Sequence, residues 1–152
     1  MNVDGAVFPN GQGTGVGAVI RDSQGKFIGA FVKFFPNCYD PLVIECIAIK
    51  AGLHFAFDNG LYINSIESDS LVAITAVNNG RCPVVIDLVI EDIKFLLREL
   101  DCGTCCHIPR SGNMVAHRLA HESISFEPCV TWLDECPECI VQLVVTDASL
   151  IH

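Results

Sequence analysis

No apolar run in this chain reaches the roughly 18 residues that crossing a bilayer requires, so no membrane-spanning segment is expected. The opening residues, Met1-Asn2-Val3-Asp4-Gly5, have neither the basic stretch nor the apolar stretch of a secretory signal. Basic residues are scarce. Nine Lys and Arg stand against eighteen Asp and Glu, a net charge of −9, which argues against a broad basic surface for gripping nucleic acid. The glycines at 11, 13, 15 and 17 are not followed by Gly-Lys-Ser/Thr or by a helix, so they read as turn glycines and not as a phosphate loop. Internal repeats and low-complexity stretches are also missing, which excludes a solenoid.

What is present fits one domain. A chain of 152 residues, 51% of them hydrophobic, can build a real core and is not disordered throughout. Nine cysteines are many, but an odd number without an export signal points to reduced thiols in cytosol or nucleus. Cys102-x-x-Cys105 and Cys136-x-x-Cys139 could offer four thiolates to one zinc. The gap between the pairs is longer than in common zinc ribbons, so plain buried or surface thiols are favoured. His117 and His121 share a helical face, yet no glutamate stands between them as in a metalloprotease, and no separate zinc site is expected. The negative charge is uneven. Six acids and no base fall in residues 122–152, which leaves twelve acids against nine bases in the rest.

Val3 to Phe8, Val16 to Arg21 and Lys26 to Phe35 read as three successive strands, with turns at Pro9 to Gly15 and Asp22 to Gly25. Leu42, Cys46, Ile49, Leu53 and Phe57 recur at helical spacing, with Pro41 in the first turn and Gly60 closing the helix. Tyr62 to Glu67 is a fourth strand, and a second helix runs from Asp69-Ser70 to about Val77, ended by Asn78-Asn79-Gly80. Ile86, Val89, Ile90, Ile93, Leu96, Leu97 and Leu100 mark the clearest amphipathic helix. Thr104 to Ile108 is a fifth strand, Ser111 to Glu122 a last helix, and residues 126–152 an irregular acidic tail packing on or extending from a domain of residues 1–125. The order β-β-β-α-β-α-α-β-α predicts an α/β fold: a mixed five-stranded sheet, three antiparallel strands then parallel ones, with helices on both faces. Phe27, Phe31, Phe34 and Phe35 look like sheet core, not a base-stacking platform.

Three acids sit where solvation is poor. Asp4 lies inside an apolar strand beside Gly5, Glu45 at the edge of a helix's apolar stripe, and Asp69 at the end of the fourth strand. Carboxylates in such places ask for partners, and a hard divalent cation is one. The alternative is that Asp69 only caps the second helix and Glu45 is an ordinary helix-edge acid; spacing does not choose between them.

The motifs Val3-Asp4-Gly5-Ala6, Glu45 in its helix, and Glu67-Ser68-Asp69-Ser70 resemble, in order, the acidic motifs of type 1 ribonuclease H. The run from His107-Ile108-Pro109-Arg110 through Asn113 to His117-Arg118-Leu119-Ala120 resembles that family's last motif. The tail, from Trp132-Leu133 through Pro137 to Asp147, is similar to the plant branch of retrotransposon-derived, reverse-transcriptase-like domains. The resemblance covers nearly the whole chain. It implies a ribonuclease H-like fold and two-metal hydrolysis of the RNA strand of RNA–DNA hybrids, leaving 5′-phosphate and 3′-hydroxyl ends. It further implies two Mg²⁺ or Mn²⁺ ions held by Asp4, Glu45, Asp69 and His117, with Asp4 bridging. His107 matches a mobile-loop histidine that assists proton transfer or product release, and Gly5, Ser70 and Asn113 fall at substrate-contacting positions.

Departures from the family pattern point the other way. The usual fourth carboxylate is replaced by His117, Pro41, Leu42 and Val43 stand where polar substrate contacts precede the helix glutamate, and no lysine-rich protrusion is present. Weaker Mg²⁺ binding is expected from the missing charge. The chain starts three residues before Asp4, so a slightly clipped first strand is expected. Two function classes result: a hybrid-cleaving endoribonuclease, favoured by the three retained acids, and a catalytically weak nucleic-acid-binding or protein-interaction module, favoured by the departures. A monomer is expected.

Overall fold

The computed structural model describes residues 1–151, with side chains through residue 148. Strands β1 (Asn2–Phe8), β2 (Gly13–Arg21) and β3 (Phe27–Phe35) form an antiparallel meander. Helix α1 (Pro41–Asp58) follows, then β4 (Ser65–Ser68), α2 (Leu71–Asn79), α3 (Asp87–Glu99), β5 (Thr104–His107) and α4 (Met114–Glu122). β4 pairs parallel to β1, and β5 parallel to β4. Local chemistry sets the helix ends. Pro41 starts α1 without wasting a donor, and Gly80 ends α2 in the left-handed conformation at φ 66°.

The sheet has six strands, not five, in the order β5-β4-β1-β2-β3-β6. The sixth, β6 (Cys129–Leu133), pairs antiparallel with β3, and helix α5 (Glu138–Ile151) follows it. Both lie in the stretch expected to be irregular. The β3 edge supplies the backbone partners that β6 needs, and α5 buries Ile140 and Val144 against Val19, Ala30 and Val32 of the sheet and Val115 and Leu119 of α4. Burying such an apolar face stabilises more than any local propensity in this acidic segment could.

Alternation along the strands splits the core in two. Val16, Ala18 and Ile20 of β2 face α1, α2 and α3, together with Ile44, Ile49, Leu53, Ile74, Ile90 and Ile93. Phe27 and Phe31 are buried core as expected, whereas Phe34 is half-buried against Phe8 and Phe35 half-buried against Tyr39. No single helix is long and apolar enough to cross a membrane.

The glycines at 13, 15 and 17 lie inside β2, not in a turn. On the α4 side a side chain at Gly17 would stand 2.5 Å from the Ala120 nitrogen, and one at Gly15 would collide with Ser123. Their missing side chains let α4 lie directly on the sheet.

Candidate active site

The carboxylate site lies where β1 and β4 part. Their one register pair is Asn2 with Glu67; two residues further along each strand direction come Asp4 and Asp69. Glu45 comes from α1, which approaches β1 closely at Gly5. A side chain on Gly5 would stand 3.1 Å from the backbone carbon and oxygen of Ile44, the residue before Glu45. Gly5 therefore serves close packing of helix on strand. Carboxylate oxygens of Asp4, Glu45 and Asp69 all lie within 4.8 Å of one another, a separation one cation can bridge.

The second helix is capped by Ser70, whose hydroxyl accepts the Ala73 N–H at 3.2 Å. That leaves the Asp69 carboxylate free to turn toward the other two acids, and it removes the helix-cap reading of Asp69. Ser70, expected to contact substrate, has its hydroxyl engaged in this cap. Asn113 is likewise turned inward. Its side chain is 1% exposed, donates to the Val3 carbonyl at 2.9 Å and accepts from the Asn2 amide at 3.2 Å. Expected at the substrate surface, it instead clamps the start of α4 to β1.

His117 follows one turn later, and its backbone N–H bonds to the Asn113 carbonyl. Its Nδ1 lies 2.9 Å from Asp4 Oδ2. An ionised carboxylate only accepts, so Nδ1 is the donor in this contact. His117 thus holds one oxygen of Asp4 and stays outside the group of three mutually close carboxylates. His107 ends β5 in register with Ser68, exposed, and makes no hydrogen bond or ion pair to the acids among the described residues.

Charge in the cluster is balanced acid by acid. Burial is the largest influence on Asp4 and pushes its carboxyl up, the nearby Asp69 adds to this, and the His117 hydrogen bond opposes it. Glu45 is pushed up to about 9, first by burial and then by Asp4 and Asp69. Glu45 therefore holds a proton at neutral pH. Asp69 is paired with Arg110, whose Nε donates to Oδ2 at 3.1 Å. Two buried oxygens are left over: Asp4 Oδ1 and Glu45 Oε2 accept no hydrogen bond. Buried oxygens without donors are costly, and an all-oxygen donor set with spare lone pairs fits a hard divalent cation.

Sequence reasoning passed over two residues here. Arg110 belongs to the last motif but drew no role, although a basic residue three positions before a motif asparagine, in a chain with only nine bases, was a usable signal. Asn2 is buried at 5% exposure and joins Glu67, Asn113 and Arg21, and Arg21 in turn bonds Asp147 of α5 at 2.8 Å. The two cysteine pairs lie apart: Cys102 and Cys105 pack against the α1 side of the sheet, Cys136 and Cys139 against the α4 and α5 side. They share no metal, and among the described residues the three acids form the one candidate metal group.

Residues 2–123 match the reverse transcriptase-like family, and the chain belongs to that family. Its fold is that of the RNase H1 proteins. RNase H1 from the halophilic archaeon Halobacterium salinarum superposes with a TM-score of 0.70 at 25% identity, over 82% of this chain and 96% of that one. LC11-RNase H1, from a compost metagenome and crystallised with an RNA/DNA hybrid, gives 0.73 at 20% identity, covering 82% and 95%. The N-terminal RNase H domain of a Mycobacterium tuberculosis protein gives 0.68 at 20% identity, covering 82% and 91%. No curated protein sequence matches.

Proposed function

We propose that this protein is a metal-dependent endoribonuclease that cleaves the RNA strand of RNA–DNA hybrids, using two Mg²⁺ or Mn²⁺ ions. The observation that carries this reading is the pair of buried oxygens without donors, Asp4 Oδ1 and Glu45 Oε2, inside a group of three carboxylates. Asp4, Glu45 and Asp69 would hold the ions. When bound, the ions supply Lewis-acid stabilisation of the charge that builds up in phosphodiester displacement. The rest falls to the protein's own groups. Glu45 would give up its proton on becoming a ligand, so ion binding would release protons. His117 steadies Asp4 through Nδ1 and would offer Nε2 as a base where the family has a fourth carboxylate. His107, exposed at the end of β5, would take or give a proton from there. Asn113 and Gly5 hold α4 and α1 in position, and Ser70 frees Asp69.

The partner under this reading is an RNA–DNA hybrid, which LC11-RNase H1 binds in its crystal. A second reading, a binding module with little turnover, draws on one observation: His117 occupies an Asp4 oxygen without contributing negative charge.

Single-turnover cleavage of a labelled hybrid across a Mn²⁺ titration tests both. Wild type is expected to cut, Asp4→Asn to be inactive but folded, and His117→Asp to cut at lower metal concentration. Wild-type cleavage no better than that of Asp4→Asn at every concentration ends the enzyme reading and leaves the binding module.

A further inference from the structure

In the ion-free protein two of the three crowded acids are held by a neighbouring donor: Asp4 accepts from His117 and Asp69 accepts from Arg110. A guanidinium keeps its charge at any working pH, so Arg110 cannot answer an arriving cation by losing a proton. It is the one Lys or Arg among the described residues that bonds to any of the three acids. The arginine reaches in from solvent: its side chain is 70% exposed, whereas the Asp69 side chain it covers is 7% exposed. Among the described residues only Nε is engaged, and neither Nη group makes a hydrogen bond. Arg110 stands in the turn Arg110–Gly112, directly before the anchored Asn113, so its backbone stays put while the side chain can swing.

We propose that Arg110 is a tethered counter-ion that trades places with a divalent cation at Asp69, covering the carboxylate in the ion-free protein and leaving it when the ion binds. A monovalent and a divalent cation on the same carboxylate repel each other, and the exposed, singly bonded one yields. Released, the guanidinium regains its full fork of donors at the rim of the site, a geometry matched to phosphate oxygens. Ion binding and capture of an anionic backbone are thereby coupled through one side chain. The inference rests on the metal-site reading above and assigns Arg110 as a positioning residue for the ion.

Side-chain ¹H–¹⁵N spectra of the full chain during a Mg²⁺ titration test it. The Arg110 Nε–H signal is assigned by its loss in Arg110→Gln. Without metal it is expected to exchange slowly with water, as a bonded donor does. With Mg²⁺ it is expected to move to the position of a free arginine and exchange fast, over the concentration range in which the Gly5 amide shifts. Calorimetry with Mn²⁺ should show Arg110→Gln binding about two- to fivefold tighter, the size of a removed surface ion pair, with Arg110→Lys between it and wild type. A Gly5 amide that reports binding while the Arg110 signal stays fixed, or equal Mn²⁺ affinities in wild type and Arg110→Gln, overturns the exchange and leaves the metal site standing. No response of either signal, and no heat from either protein, overturns the metal site and the exchange together.

Discussion

Glu45→Gln removes the ionisable group whose burial is least compensated and keeps its shape. In the folded, metal-free protein the Glu45 carboxyl titrates at about 9, against an ordinary value of 4.5. Above pH 4.5 the unfolded chain therefore releases a proton that the folded chain keeps. An acid raised in this way contributes stability that is present below its unfolded value and lost as pH rises toward its folded value. Each pKa unit corresponds to about 1.4 kcal/mol. Between pH 4.5 and pH 7 wild type should lose roughly 3.4 kcal/mol relative to the glutamine variant, a shortfall that partial solvent access trims to on the order of 2 kcal/mol. For a chain of this size that is about 4–8 °C in Tm. The assay is thermal unfolding of both proteins in EDTA at half-unit steps from pH 4.5 to 8. The Tm gap should open steadily in favour of Glu45→Gln as pH rises, and millimolar Mg²⁺ should close it from the wild-type side by linkage. Any constant offset reflects packing; only the slope reports the titration. A gap that stays flat across the range would refute the buried, protonated Glu45 and the crowding argument with it.

Gly17→Ala places a methyl group 2.5 Å from the Ala120 nitrogen and from Leu119 Cβ, so α4 must lift off β2. A loss of about 2–3 kcal/mol in urea unfolding is expected, and an unchanged midpoint would contradict the close packing. Asn113→Ala removes the acceptor of one Asn2 amide hydrogen and the donor to the Val3 carbonyl, both in the interior, which should cost roughly 2–3 kcal/mol. If Asn113 served substrate alone, stability would be unchanged and only hybrid affinity would fall. In the cleavage assay, His117→Asp should lower the Mn²⁺ concentration for half-maximal rate, since it adds a negative ligand beside Asp4; a higher requirement would mean that the Nδ1 donor matters more than charge.

Much of this protein follows from local sequence. The 3.6-residue spacing of Leu42, Cys46, Ile49 and Leu53 lays down α1, Pro41 and Gly80 set helix ends through φ alone, and the order of elements predicts a mixed sheet before any coordinate is known. Asp4, Glu45 and Asp69 were also legible as acids in poorly solvated places, because an alternating or periodic apolar pattern shows where a charge is out of place. Other features depend on partners far away in the chain. Cys129-Val130-Thr131-Trp132-Leu133 is a strand because β3 offers an open edge, and α5 is ordered by the sheet and α4 beneath it. Gly15 and Gly17 carry the same local signature as turn glycines, and only the path of α4 makes them points of contact. Whether Asp69 or Ser70 caps α2 is a choice between adjacent side chains, resolved by the Ser70 hydroxyl on the Ala73 N–H and the pull of Arg110 on Asp69. The site itself is tertiary: periodicity places each acid on its element, but bringing oxygens within 4.8 Å requires the parting of β1 from β4 and the close approach of α1 over Gly5.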